Sequence, residues 1–109
     1  MRHAVPVYVI VWRYQVNPEH RDAFERAYGP AGPWTVLFGR TAGYLGTELV
    51  PLDDRGRYLT IDRWDAESAF ARFKADWRNE YDALDRELEP LTTIEQLLGA
   101  GEVLARDAL

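Results

Sequence analysis

The chain has 109 residues, no cysteine and a formal net charge of −5, from 13 basic and 18 acidic residues. This length predicts one domain over residues 1–109, and the lack of cysteine excludes disulfides, thiolate nucleophiles and cysteine-ligated metals and fits a cytoplasmic protein. Basic residues interspersed with acids exclude the charge pattern of nucleic-acid binders and disfavour anionic membranes as partners.

The first predicted element is a strand over residues 5–16, VPVYVIVWRYQV, in which β-branched and aromatic residues dominate. The apolar run from Ala4 to Trp12 is too short to cross a membrane and has no small-residue cleavage site, so it predicts neither a span nor a signal peptide. Both faces of this strand are apolar for most of its length, and we therefore expect it to be covered on both sides.

A helix follows, for which Asn17-Pro18 supplies the start and Gly29 the stop. Residues 29–43 are then punctuated by glycine and proline, with a short helical turn predicted at Trp34–Gly39. A segment of this length favours a lid or wall of a pocket, with a static plug of the core as the alternative. Its large apolar side chains are expected to lie together; they are Trp34, Leu37 and Phe38.

The remaining elements follow from alternating and helical patterns of apolar residues. They are strands over 44–50 and 57–64 joined by a turn at Asp53–Gly56, a helix capped by Asp65 that reaches about Glu89 and can break near Asp76–Asn79, a further turn at Thr93–Leu97, and a weak strand over Leu98–Leu104. The order β-α-β-β-α-β predicts a ferredoxin-like α+β fold, with a four-stranded antiparallel sheet and both helices on one face. A C2 homodimer is the simplest way to cover the other face.

Two stretches, GYLGTELV at 43–50 and YLTIDRWDAESAF at 58–70, together with this strand order, resemble the antibiotic biosynthesis monooxygenase family of dimeric α+β barrels. The resemblance covers the chain from about Val5 to Leu104. It implies a dimeric barrel, but it leaves the reaction open, because the superfamily includes cofactor-free monooxygenases of polyketide quinones, haem-degrading enzymes, isomerases and members without known activity.

Only some of the residues that the family uses have a counterpart in this sequence. Trp64 matches the tryptophan that ends the third strand in many members of the family. The haem-degrading branch needs a histidine on the second helix, and no histidine lies between Asp65 and Leu109. The quinone-forming members use Asn, Trp, Tyr and Arg around a phenolic substrate, and here Asn17 and Asn79 both stand at unsuitable positions.

Side chains alternate across a strand, so the first and third strands each have two distinct faces. We expect Val7, Val9, Val11, Leu59 and Ile61 to meet the helices. The opposite face is then expected to line the interior of a dimeric barrel as an aromatic pocket with few polar groups, which is typical of a small-molecule site. This face carries Tyr8, Ile10, Trp12, Tyr14, Tyr58, Thr60, Asp62 and Trp64.

Asp62 is the predicted catalytic base, because a carboxylate on an apolar face should have a raised pKa and can take a proton from a phenol. Tyr58 or Tyr8 is predicted to hold the resulting oxyanion, and Trp64 to stack on the ring. The predicted substrate-binding residues are Tyr8, Trp12, Tyr14, Thr60, Trp34 and Phe38. A structural alternative stands beside each role: Asp62 pairs with an arginine or accepts tyrosine hydroxyls, Trp64 packs a strand–helix corner, and Trp12 and Tyr14 belong to a dimer interface.

The sequence thus favours a cofactor-independent monooxygenase acting on an aromatic or polyketide-like molecule, with no metal site and no cofactor. Deprotonated phenols are electron-rich and react with dioxygen directly, so the chemistry requires neither flavin nor metal. Two alternatives remain: a non-catalytic dimer that binds a hydrophobic small molecule or a protein, and a haem-binding or haem-degrading protein.

Overall fold

A four-stranded antiparallel sheet in the order β2-β3-β1-β4 forms the base of the molecule. The computed structural model describes residues 6–52 and 55–104. Its strands are β1 (Tyr8–Val16), β2 (Tyr44–Pro51), β3 (Arg57–Trp64) and β4 (Thr92–Glu102), and its helices are α1 (Arg21–Tyr28), α2 (Pro33–Phe38), α3 (Glu67–Asp76) and α4 (Arg78–Leu88). Short 3₁₀ turns at Pro18–His20 and Glu89–Leu91 precede α1 and β4. The ferredoxin-like α+β order predicted from the sequence is confirmed.

Antiparallel pairing of β1 with β3 sets the face on which each side chain lies. Tyr8 is opposite Trp64, Ile10 is opposite Asp62, Trp12 is opposite Thr60 and Tyr14 is opposite Tyr58. Directly opposed residues project to the same side of a sheet. The predicted grouping of these eight residues on one face is therefore confirmed.

The direction in which that face points was predicted wrongly. Its side chains meet the helices: the Tyr14 ring lies 5.0 Å from the Tyr28 ring of α1, and the Trp64 ring lies 5.6 Å from the Phe73 ring of α3. Aromatic rings bury more apolar area than valines do, so burying them beneath the helices stabilises the fold more. The opposite face, which carries Val9, Val11, Leu59 and Ile61, has no helix over it within the described part of the chain, and these side chains are half-buried.

Residues 29–43 form a packed wall around α2, which occupies the position of the helical turn predicted at Trp34–Gly39. The Thr35 hydroxyl donates to the carbonyl oxygens of Pro30 and Gly32, at 2.7 and 3.0 Å, and so ties α2 to the glycine-rich chain before it. The side chains of Trp34, Leu37 and Phe38 are buried. Motion of this segment as a lid stays a prediction.

The start of α3 differs from its prediction. Ala66, not Asp65, is the N-cap residue. The backbone N–H of Asp65 donates instead to the carbonyl oxygen of Gly43, at 2.8 Å, which joins the end of β3 to the start of β2. Gly43 has φ +100°, and a Cβ there would lie 2.5 Å from Asp65 Oδ1, so the position requires glycine. The predicted break is confirmed, because α3 ends at Asp76 and α4 begins at Arg78.

The segment after α4 was predicted least well. Residues 92–102 form the single strand β4, so the predicted turn at Thr93–Leu97 is wrong. Pairing with β1 along nearly its whole length, with register shifts, offsets the weak strand propensity of Gly99 and Gly101. In the predicted turn at Asp53–Gly56, Asp53 and Asp54 lie outside the described residues. Within residues 6–52 and 55–104, no helix has the length and apolar content needed to cross a membrane.

Candidate functional site

A chamber with two adjoining lobes lies between the aromatic face of the sheet and the helices. The first lobe has a volume of about 190 Å³ and the second about 240 Å³. Four residues line both lobes: Trp12, Phe38, Asp62 and Tyr81. Aromatic walls with a few polar groups are typical of small-molecule sites. The chamber is lined by the aromatic face on which a pocket was predicted. That face lies beneath the helices of one chain, whereas the prediction placed it on the side of the sheet away from the helices.

The structure brings together all six residues predicted to bind substrate, with Asp62 beside them. The first lobe is lined by Trp12, Tyr14, Trp34, Phe38, Thr60 and Asp62. Tyr8, at the start of β1, lines the second lobe. The strand pattern thus located the sheet side of the chamber, and the predicted turn at Trp34–Gly39 located the part of the helical side that α2 forms.

Asp62 is the buried carboxyl group of the chamber, with 7% of its surface exposed. Thr47 of β2 donates a hydrogen bond from Oγ1 to Asp62 Oδ1 at 2.7 Å, and the Tyr44 hydroxyl lies 2.6 Å from the same Oγ1. Because the single hydroxyl proton of Thr47 is given to Asp62, Tyr44 donates to Thr47, and the three side chains form a directed chain. Burial raises the pKa of Asp62 to about 6, against a smaller lowering by the Thr47 hydrogen bond.

The ion-pair alternative for Asp62 has no support among the described residues. No salt bridge within residues 6–52 and 55–104 involves its carboxylate. The neighbouring Arg63 lies on the other face and pairs with Glu48 of β2. Asp62 therefore combines burial, a neutral hydrogen-bond donor and a place in both lobes, which are properties that suit a proton acceptor.

Tyr58 and Trp64, which the sequence placed beside Asp62 as catalytic residues, line neither lobe. Tyr58 is 1% exposed, and its hydroxyl donates to Glu25 Oε2 at 2.5 Å and accepts from Arg21 Nε at 3.3 Å. Trp64 is 0% exposed and packs among aromatic rings of α2, α3 and β2. Both share the face of Asp62 but lie under the helices, so we assign neither a contact with substrate.

Helix α4 contributes a chamber residue, Tyr81, that was not among the predicted site residues. The Tyr81 ring lies 5.2 Å from the Trp34 ring and lines both lobes. Burial raises the pKa of Tyr81 to about 12, so its phenol stays protonated at neutral pH and can donate a hydrogen bond. Tyr28 of α1 also lines the first lobe. Helical spacing of apolar residues indicates which rings face the core, but it does not say which of them border a cavity.

Charged residues of the chamber walls were also missed. Lys74 of α3 lines the second lobe, and its Nζ lies 4.0 Å from the centroid of the Tyr81 ring. Burial, with a further contribution from Arg78, lowers the pKa of Lys74. Asp85 of α4 and Glu95 of β4 line the first lobe, and burial together with Asp85 raises the pKa of Glu95. A one-dimensional pattern places such residues on solvated helix and strand surfaces.

The chamber walls do not fit a histidine-ligated haem. Neither lobe has a histidine in its lining. His20 lies in the 3₁₀ turn before α1, where its Nε2 is 3.9 Å from Glu19 Oε1. Within the described part of the chain, no group of three or more His, Cys, Asp or Glu side chains is arranged to hold a metal ion.

Comparison with known proteins gives a family and a fold. The model of the family described as antibiotic biosynthesis monooxygenase matches residues 7–76. SnoaB, a cofactor-independent oxygenase from Streptomyces nogalater, is 24% identical with a TM-score of 0.64, over 97% of this chain and 98% of SnoaB. A comparison with curated proteins gave no match.

Two further solved structures have slightly higher structural similarity at lower identity. A MhuD mutant with two manganese protoporphyrin IX molecules bound per active site is 20% identical with a TM-score of 0.68, over 93% of this chain and 98% of MhuD. A dimeric ferredoxin-like protein from an uncultured marine organism is 10% identical with a TM-score of 0.69, over 97% and 94% of the two chains. At these identities the likeness shows the fold.

Proposed function

The chain belongs to the antibiotic biosynthesis monooxygenase family, and we propose that it is a cofactor-independent monooxygenase that oxidises a phenolic, aromatic or polyketide-like molecule in the chamber. One observation carries the proposal: a buried carboxyl group, with a pKa raised to about 6, stands in the wall shared by two aromatic lobes. The description of SnoaB as a cofactor-independent oxygenase supports the same class of chemistry.

Asp62 acts as the general base. In its ionised form, Oδ1 is held by the Thr47 hydroxyl, and the carboxylate takes the phenolic proton of the substrate. Near neutral pH most of the Asp62 population is ionised, while its raised pKa makes it a stronger base than an exposed aspartate. The protonated phenol of Tyr81 donates a hydrogen bond to the phenolate oxygen that forms.

The anion then reacts with dioxygen. For an anthrone-like phenol, the carbon of the reactive methylene bonds to one oxygen atom of O₂ and yields a hydroperoxide after protonation. The O–O bond then breaks as the second C–H proton leaves, which releases water and leaves a carbonyl group. A CH₂ group and O₂ thus become C=O and H₂O, so the substrate supplies all the electrons and no external reductant is consumed.

The chamber walls contribute binding and the exclusion of water. Trp12, Trp34 and Phe38 present flat apolar surfaces to a planar ring system. Their burial keeps the charge on Asp62 and on the phenolate in a poorly hydrated environment, in which hydrogen bonds from fixed donors are strongest.

Oxygen uptake tests this proposal against the binding-only alternative. The purified protein is mixed with an anthrone-like phenol and, separately, with the same compound carrying an O-methyl group in place of the acidic hydroxyl. We expect enzyme-dependent oxygen consumption with the phenol and none with its O-methyl analogue. One molecule of oxygen should be consumed for each molecule of quinone formed. Binding of both compounds without oxygen consumption would leave a non-catalytic binding protein. A Soret band on titration with haem would support the haem alternative instead.

We also propose that a second copy of the chain covers the open face of the sheet. Val9 and Val11 lie there beside Leu98, which is 52% exposed, and no helix formed by residues 6–52 or 55–104 covers them. Removing apolar surface from water contributes roughly 25 cal/mol per Å², and this gain opposes the entropy lost on association. The dimeric ferredoxin-like protein with the same fold supports this arrangement.

Placing a charge at the centre of the open face should prevent dimer formation. We expect Val11→Glu to convert a wild-type dimer into a monomer, because β1 is an inner strand and the carboxylate would be desolvated in the interface. Light scattering at micromolar concentration measures the mass. Val36→Glu is the matched control: Val36 is 61% exposed on α2, away from the sheet, and this variant should stay dimeric. A monomeric wild-type protein would refute the dimer.

A further inference from the structure

The two lobes of the chamber differ in the sign of the charge on their walls. Lys74 lines the second lobe, whereas Asp85 and Glu95 line the first. Asp62 borders both. A substrate that spans the chamber would therefore meet a cation at one end and carboxylates at the other. Such an arrangement distinguishes the two ends of an elongated molecule and excludes one of its two orientations.

Lys74 is held in place with its charge uncompensated at short range. Its Nζ lies 4.0 Å from the centroid of the Tyr81 ring and 5.8 Å from that of Phe70, so the ammonium group contacts the face of Tyr81 and lies over that of Phe70. No salt bridge among the described residues includes Lys74. Asp82 and Asp85 favour its charged form from a greater distance, and Arg78 opposes it. The cation is half-buried and has lost hydration without gaining a carboxylate partner.

We propose that Lys74 selects substrates that carry a carboxylate, which it binds in the second lobe while the phenolic hydroxyl of the same molecule faces Asp62. The substrate class is then an aromatic hydroxy acid with its acid and phenol at separate positions of the ring system. This inference deepens the proposed function and rests on the same chamber.

Three features of the walls support this orientation over its reverse. A carboxylate in the second lobe gains a charge-assisted hydrogen bond with an ammonium group that is already partly desolvated. The same carboxylate in the first lobe would meet Asp85 and Glu95, where the pKa of Glu95 is already raised by burial and by Asp85. The aromatic rings beside Lys74, which include Tyr8 and Phe70, provide the apolar surface for the rest of the molecule.

A matched pair of probes isolates the charge. 6-Hydroxy-2-naphthoate carries the phenol and the carboxylate at opposite ends of a planar ring system, and 6-hydroxy-2-naphthamide has the same shape without the negative charge. Dissociation constants for both are measured by calorimetry with the wild-type protein, Lys74→Met and Lys74→Arg. Methionine keeps the length and apolar stem of the side chain, while arginine keeps the charge.

We expect the wild-type protein to bind the carboxylate about tenfold more tightly than the amide, which corresponds to about 1.4 kcal/mol. Lys74→Met should remove that preference by weakening carboxylate binding about tenfold with little effect on the amide, and Lys74→Arg should retain it. Equal affinities of the wild-type protein for both probes would overturn the proposal, as would a Met variant that weakens both probes equally, because Lys74 would then act through packing.

The measurement requires no turnover, so it is independent of the oxygenase chemistry. A wild-type preference for the carboxylate without oxygen uptake would remove the proposed reaction and leave the selectivity of the second lobe intact. Oxygen uptake with no preference between the probes would support the proposed reaction and overturn the proposed selectivity of the second lobe.

Discussion

Asp62→Asn is expected to lower the turnover of a phenolic substrate by a factor of about 10²–10⁴, which is the range that a positioned general base contributes. The amide has the shape of the carboxyl group, and its oxygen still accepts the Thr47 hydrogen bond, so the chamber should keep its form. What the variant loses is the ability to take a proton. Oxygen consumption under saturating substrate measures kcat, and circular dichroism checks that the fold is retained.

The pH dependence of the wild-type enzyme should report the same group. Because the base must be ionised, kcat/KM is expected to rise with pH through about 6 and to level off above it. Thr47→Val is the matched control: it removes the hydrogen bond that lowers the pKa of Asp62, so the rising limb should move to higher pH while the plateau survives. An Asp62→Asn variant with full activity on a confirmed substrate would remove the catalytic role.

The same raised pKa has a consequence for stability that separates a catalytic Asp62 from a structural one. A carboxyl group whose pKa rises from 3.8 in the unfolded chain to about 6 in the folded protein binds protons more readily when folded. Stability from this group is complete below pH 3.8 and is lost as pH rises through about 6. At pH 8, Asp62→Asn should therefore raise the free energy of unfolding by on the order of 2 kcal/mol, with the gain shrinking towards pH 4. Urea denaturation at both pH values measures it, and a loss of stability at pH 8 would indicate an ionic role.

How far the sequence predicts this molecule depends on the range of the interactions involved. The grouping of Tyr8, Trp12, Asp62 and Trp64 on one face follows from strand alternation alone, which is a local property of the backbone. Strand alternation does not determine whether that face points towards the helices or away from them. Both faces of β1 are apolar, and the choice is made by packing of Tyr14 against the Phe24 ring of α1 and of Trp64 against the Phe73 ring of α3, which strand alternation does not encode.

The candidate site shows the same division. Its sheet wall was predictable because Asp62 interrupts an aromatic face, and such an interruption is visible in one strand. Its helical wall was not, since Lys74, Tyr81 and Asp85 follow the ordinary pattern of an amphipathic helix. Only the packing of α3 and α4 over the sheet shows that these residues border a cavity. The first part of β4, where a turn was predicted at Thr93–Leu97, was missed for a related reason, because pairing with β1 overrides weak local propensity.

The burial of Trp64 favours the packing role over the stacking role that the sequence also allowed, and truncating this side chain should have the largest effect on stability. Trp64→Ala is expected to lower the free energy of unfolding by about 3–5 kcal/mol, as removal of a buried tryptophan does when its neighbours cannot close the cavity. Its ring is 0% exposed and lies within 6 Å of the rings of Phe38, Tyr44, Phe70 and Phe73. Chemical denaturation measures the loss.

Trp64→Phe then distinguishes packing from substrate contact. Phenylalanine keeps one aromatic ring, and it removes an indole N–H that is buried without a hydrogen-bond acceptor among the described residues, so part of the lost packing is offset. We expect a stability loss of about 1–2 kcal/mol and an unchanged KM. Trp12→Phe is the matched comparison: Trp12 is half-buried and lines both lobes, so the same substitution there should raise KM with a smaller effect on stability. If Trp64→Phe instead weakened substrate binding more than it weakened the fold, Trp64 would have to reach the chamber, and the stacking role inferred from the sequence would stand.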